Sequence, residues 1–255
     1  MDRQSFLWAF AFAYIAYAAI GDLPSLAANP IFSTTASAGL FVVLYLGHSY
    51  VYLGIKTATK FLLVSAVLGY LFEFLFISTG WLGTYVYTAD LSPFIGPIPA
   101  FIPLLWASLT YFCMLSADSY LVSAFLVVLL DVAFDPKFST TLWRWVPPGQ
   151  YFGVPIANFA GWLVTSAAIY LAFYLVTRRR TRSTNRAIAF YYHIGIFVGV
   201  VPDLVPGLYG AGEISFVLFS IACLLIYLNS RRVAGRKGAE QRLAPSSGTP
   251  GGTGN

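Results

Sequence analysis

Charge is scarce in this sequence: Asp, Glu, Lys and Arg make up 10% of its 255 residues, against about 25% in an ordinary soluble domain. Together with a hydrophobic share of 58% and a mean hydropathy of +0.73, that shortage excludes a water-soluble globular enzyme and indicates an integral membrane protein. Cysteine is as sparse. Cys113 and Cys223 both lie inside apolar runs, so a disulfide framework is excluded by number and each reads as a small apolar filler. Histidine occurs only at 48 and 193. Two histidines without ligand spacing are weak grounds for a metal or acid/base pair with Asp118, and helix packing or capping is the plainer reading; neither a metal nor a cofactor is expected. No internal repeat is visible, which argues against an inverted-repeat transporter.

What is present is a series of long apolar runs, at about 5–21, 34–54, 59–79, 97–117, 118–135, 157–177, 187–207 and 213–230. Each approaches the roughly 17 to 25 residues needed to cross the hydrocarbon core. The expected architecture is all-α: a polytopic transmembrane helical bundle of eight spans, or seven if the short first run is not one. That first run lacks a convincing basic start and small-residue cleavage site, so it is kept as a span. The net charge of +5 does not imply nucleic acid, because of where the basic residues fall. With a cytoplasmic N-terminus, all fifteen Lys and Arg residues except Lys137 and Arg144 fall on the inner side, so N-in and C-in is the expected orientation. Residues 1–233 then form a single transmembrane domain. The stretch 234–255, ending SSGTPGGTGN, is expected to be a disordered cytoplasmic tail.

Under that orientation the ionisable residues divide by depth. His48, Asp118 and His193 fall inside. Glu73, Asp131, Asp135, Asn158 and Asp203 fall towards the outer side, and polar groups at membrane depth are functional-site candidates by default. The stretch from Asp131 to Trp162 holds most of them. Asp131 and Asp135 are four apart and share a helix face, and Pro136 disfavours helix at Asp135 and so should end the helix there. Both carboxyls would then meet the negative end of the helix dipole, which with burial and mutual repulsion disfavours ionisation. Glu73, late in its own outward-running helix, is under the same pressure. Carboxyls kept neutral are what an acid catalyst needs; pairing with Arg144 or Lys137 is the bland alternative.

Aromatic residues crowd the same region: Trp81, Tyr85, Tyr87, Trp106, Trp143, Trp145, Tyr151 and Trp162. An interfacial aromatic belt accounts for many such residues. A wall of π-faces beside an acid would also hold a polyene and stabilise a carbocation. The loop PPGQYFGVP must pack in protein or line a cavity, since exposed irregular backbone is not tolerated in lipid.

The runs GWLGTYVYT (80–88), PAFIPLLWASLTY (99–111), DVAFDP, WRW and GQYFGVPIANFAGWLVT (149–165) resemble the CruF-type carotenoid 1′,2′-hydratase family of integral membrane proteins. The resemblance covers residues 70 to 165 well and the rest by hydrophobic pattern. It implies addition of water across the terminal C1′–C2′ double bond of an acyclic ψ-end carotenoid, a C40 or a bacterioruberin-type C50 chain, without a redox cofactor. It also implies a lipid-soluble carotenoid as substrate, the cell membrane as location, and association with other carotenoid-biosynthesis enzymes. Acid hydration protonates C2′, forms a tertiary cation at C1′ and captures it with water. On that chemistry Asp131 is the expected proton donor, with Glu73 as alternative donor or base. Asp135 and Asn158 would hold the water. The expected substrate-facing residues are Trp81, Tyr85, Tyr87, Trp106, Trp143, Trp145, Tyr151 and Trp162.

Two other readings stand beside this one. A magnesium-diphosphate prenyltransferase or C50 elongase would use the Asp131/Asp135 pair, but a second acidic motif is lacking; magnesium dependence and diphosphate release distinguish it. A transporter or lipid carrier would use the buried acids as relays, and proton flux in proteoliposomes distinguishes that.

Overall fold

The computed structural model describes residues 30–117, 119–179 and 209–243, together with Ser5, Ala9 and Phe12. Its helices are α1 (Pro30–Leu53), α2 (Ile55–Thr79), α3 (Ile102–Ser116), α4 (Tyr120–Phe138), α5 (Ile156–Thr177) and α6 (Tyr209–Leu243). Two small antiparallel pairs join them. One is formed by β1 (Thr84–Tyr87) and β4 (Trp143–Val146), the other by β2 (Phe94–Ile95) and β3 (Ile98–Pro99). The apolar run expected at 187–207, and the run expected at 5–21 apart from Ser5, Ala9 and Phe12, lie outside the described residues.

The helix ends follow from local chemistry. Gly54, at φ +77°, separates α1 from α2. Gly80 closes α2 in the left-handed conformation, its N–H returning to the Phe76 carbonyl at 2.9 Å, a position glycine adopts without a Cβ penalty. Ser119 begins α4, its hydroxyl accepting from the Val122 amide, as N-cap side chains do. Near the end of α4 the chain departs from expectation. The helix does not stop at Asp135 but runs through Pro136 to Phe138, so the two aspartates stand within its last turns.

Among the described residues, three helices are long and apolar enough to cross a membrane: Ile55–Thr79, Ile156–Thr177 and Gly210–Leu228. Ala38–Leu53 and Ile102–Ser116 are shorter apolar helices. α3 is shorter than the run 97–117 because Ile98 and Pro99 belong to a β-pair. α3 is apolar all round and almost wholly buried, the pattern of a central helix, and it packs against α1, α2 and α4. α5 packs against α2 and α4, and α6 against α4. α6 continues to Leu243, ten residues into the stretch expected to be disordered. The sequence there, GRKGAEQRL, sets good helix formers (Arg, Lys, Ala, Glu, Gln and Leu) beside two glycines.

β1 and β4 form a two-stranded ribbon with Tyr85 opposite Trp145 and Tyr87 opposite Trp143. Alternate residues of a strand point to opposite faces. Here Tyr85, Trp143 and Trp145 are buried and Tyr87 partly so, while Thr84, Val86, Arg144 and Val146 are exposed. The ribbon therefore turns four aromatic side chains towards the helices that carry the acids.

Candidate active site

Glu73 on α2 and Asp135 on α4 line the same cavity. Its walls are completed by Tyr85 and Tyr87 of β1, Trp143 and Trp145 of β4, Trp106 of α3, and Asn158 and Trp162 of α5. Ile102, Leu105, Leu109 and Phe134 line it as well. The cavity has room for a few waters.

The ribbon's inward face reaches both acids. The Tyr85 hydroxyl donates to Glu73 Oε2, as does the Tyr87 hydroxyl at 3.1 Å. Trp106 Nε1–H donates to Glu73 Oε1 at 3.0 Å. Gly69, one turn before Glu73, makes that last contact feasible: a Cβ there would stand 2.9 Å from the Trp106 side chain. On the second strand, Trp143 and Trp145 donate their indole N–H groups to Asp135 Oδ1, at 2.6 and 3.1 Å. Asn158 Nδ2 donates to Asp135 Oδ2 at 2.5 Å and to Asp131 Oδ2 at 2.8 Å. Ring contacts brace the walls, with Tyr85 and Trp145 centroids 4.8 Å apart and Trp106 and Trp162 4.4 Å apart.

The two acids sit in chemically different shells. Among the described residues, the Asp135 carboxyl receives N–H groups alone, and an indole N–H can donate but never accept, so this shell suits a carboxyl acting as acceptor. Glu73 faces two phenol oxygens, which both donate and accept, so its Oε2 can carry a proton and share it. Burial, more than the neighbouring Glu73 charge, holds the Tyr85 and Tyr87 phenols well above their ordinary range; both therefore keep their protons at neutral pH.

The structure gathers Glu73, Asp135, Asn158, Tyr85, Tyr87, Trp106, Trp143, Trp145 and Trp162 at one cavity, and leaves three expected residues outside its lining. Asp131 is fully buried behind the Asn158 amide, and its Oδ1 has no hydrogen-bond partner among the described residues. Trp81 is 74% exposed. Tyr151 is directed to the backbone of α4, its hydroxyl 3.1 Å from the Val132 carbonyl. Arg144 stands on the ribbon's outer face, so the donors to Asp135 are indoles and an amide instead of a guanidinium. His48 is buried, with Nδ1 2.7 Å from the Tyr111 hydroxyl and its ring edge-on to Phe112, an inner packing contact. Asp118, His193 and Asp203 lie outside the described residues. Sequence reading missed Ile102, Leu105 and Leu109. With Trp106 they fall at helical i, i+3, i+4 and i+7 spacing, the signal of one apolar face.

A family model described as carotenoid biosynthesis protein matches residues 29–227. A curated relative, bisanhydrobacterioruberin hydratase of Haloarcula japonica, is 31% identical over 122 residues, covering 40% of this chain and 39% of the relative. The match thus spans well under half of that relative's length. No solved structure matches the chain.

Proposed function

This chain belongs to the family of carotenoid biosynthesis proteins, and from that premise we propose that it is a carotenoid hydratase, adding water to the terminal C1′–C2′ double bond of an acyclic ψ-end. The observation that carries the reading is that two carboxyl groups with different donor shells, Glu73 held by two phenols and an indole and Asp135 by two indoles and an amide, line one aromatic cavity. The relative named as a hydratase supports the same reaction class.

In this mechanism Glu73 delivers the proton to C2′ from Oε2, where Tyr85 and Tyr87 hold the carboxyl in place. The tertiary cation at C1′ forms among the π-faces of Trp106, Trp143, Trp145 and Trp162, whose quadrupoles favour positive charge. Asp135, oriented by two indoles and Asn158, accepts a proton from the water that captures C1′. The proton returned to Glu73 resets the site, so water is the only co-reactant. Asp131, which the sequence suggested as donor, supports Asn158 from behind. Its buried position leaves the transfer to Glu73.

The cavity admits a chain end, and the polyene lies along the helices in the bilayer. Three long apolar helices fit a membrane protein. We place it in the cell membrane as a multi-pass protein of eight spans with both termini inside, the acids towards the outer face. Purified protein given an acyclic carotenoid in heavy-oxygen water is expected to yield a tertiary alcohol carrying the heavy oxygen at C1′. Release of diphosphate, or a product without oxygen from water, would contradict the reading. Trp81→Ala is expected to keep turnover within about twofold of the parent, as for an exposed position away from the chemistry; initial rates on the same substrate check it.

A further inference from the structure

Pro136 lies inside α4, and proline has no backbone N–H, so the carbonyl one turn earlier loses its helical donor. That carbonyl belongs to Val132, between Asp131 and Asp135, and is half-buried; a backbone carbonyl left unpaired away from water is costly. The Tyr151 hydroxyl donates to it at 3.1 Å. Tyr151 is itself held by a short rigid loop. Its N–H meets the Val154 carbonyl at 3.0 Å, Val154 N–H returns to the Tyr151 carbonyl at 2.8 Å, and Gly149 N–H reaches the Gly153 carbonyl at 2.7 Å. The ring is edge-on to Phe152 and Phe159, at 4.8 and 5.3 Å. The loop leads directly into α5, where Asn158 bridges both aspartates.

We infer that Tyr151 is a positioning residue: its hydroxyl takes the place of the backbone donor that Pro136 removes, and so fixes the acid-bearing turn of α4 against Asn158. It is not a wall of the substrate cavity. As regards turnover, this inference rests on the hydratase reading; its geometric part does not.

The test is a double-substitution cycle on the full chain. Tyr151→Phe removes only the hydroxyl and is expected to lower kcat by about 10- to 100-fold, the scale of small misplacements at a reacting centre, with KM little changed. Pro136→Ala returns an N–H to Val132 and is expected to leave turnover close to the parent. In the double variant the hydroxyl is redundant, so kcat is expected to recover. A double variant as slow as Tyr151→Phe, a Tyr151→Phe variant as fast as the parent, or a rise in KM alone would overturn the inference. A readout independent of turnover accompanies it. The infrared carboxyl bands of Asp131 and Asp135, assigned with Asp131→Asn and Asp135→Asn, should shift in Tyr151→Phe and return in the double variant; unmoved bands would also overturn it. If the parent hydrates no carotenoid, the hydratase reading fails while the infrared cycle still decides the role of Tyr151. If Tyr151→Phe does not fold, recovery of folded protein in the double variant supports the inference and its absence overturns it.

Discussion

Replacing Glu73 with Gln is expected to lower carotenoid hydration by about 10²–10⁴-fold, the usual worth of a positioned general acid, with the protein still inserted and folded. The amide keeps an acceptor oxygen for the phenols or for Trp106, but it has no acidic proton for C2′. Asp135→Asn is expected to slow hydration on a comparable scale by a different route, because it removes the acceptor for the proton of water. The two variants separate in deuterium oxide. With Asp135→Asn, C2′ protonation still occurs and reverses, so recovered substrate should carry deuterium at C2′ without having gained oxygen. With Glu73→Gln neither exchange nor hydration should appear. Mass spectrometry of recovered substrate and product reads both. Exchange in Glu73→Gln and none in Asp135→Asn would mean that the two acids have each other's roles.

Gly149→Ala should produce the second large effect, on folding. A Cβ at that position would fall on the backbone of Val154 and Pro155, and backbone atoms cannot step aside as a flexible side-chain tip can. Overpacking of this kind costs about 1–3 kcal/mol and occasionally more. Because the loop fixes Tyr151 and the start of α5, the loss should reach the site as well. Gly153 provides the control. It adopts φ +86° with open space around its Cβ position, so Gly153→Ala carries only the left-handed backbone penalty, roughly 1–2 kcal/mol. Thermal unfolding in detergent should therefore show a larger drop for Gly149→Ala than for Gly153→Ala, with hydration lost in the first and retained in the second. Equal drops would contradict this account of the loop.

Apolar run length located α2, α5 and the core of α6 because a membrane-crossing helix must stay apolar over its whole length. The i, i+4 spacing of Asp131 and Asp135, and the position of Asn158 at the opening of the next run, already indicated a shared polar zone, and the amide does bridge both carboxyls. What was not legible was the ribbon. TYVY and WRWV each alternate with period two, but their pairing joins segments far apart in sequence, and nothing local fixes that register. Without it, the partners of Glu73 and Asp135 could not be named, and Asp131 was the expected donor, with Asp135 left to hold the water. Pro136 misled for a related reason. Its local preference ends a helix, yet Tyr151 supplies the missing donor from another segment, and the helix continues. Trp81, adjacent to the glycine that ends α2, shares the aromatic character of the cavity residues but is turned outward; composition alone could not separate it from Trp106.

The central claim is that the ψ-end of a carotenoid enters between Glu73 and Asp135, and a structure of the Glu73→Gln protein with an acyclic carotenoid bound tests it most directly. The account predicts C2′ within about 3–3.5 Å of the residue-73 side-chain amide, a near-attack distance, with C1′ on the Asp135 side among the four tryptophans. A chain end seated elsewhere, with the cavity holding no part of the polyene, would contradict it.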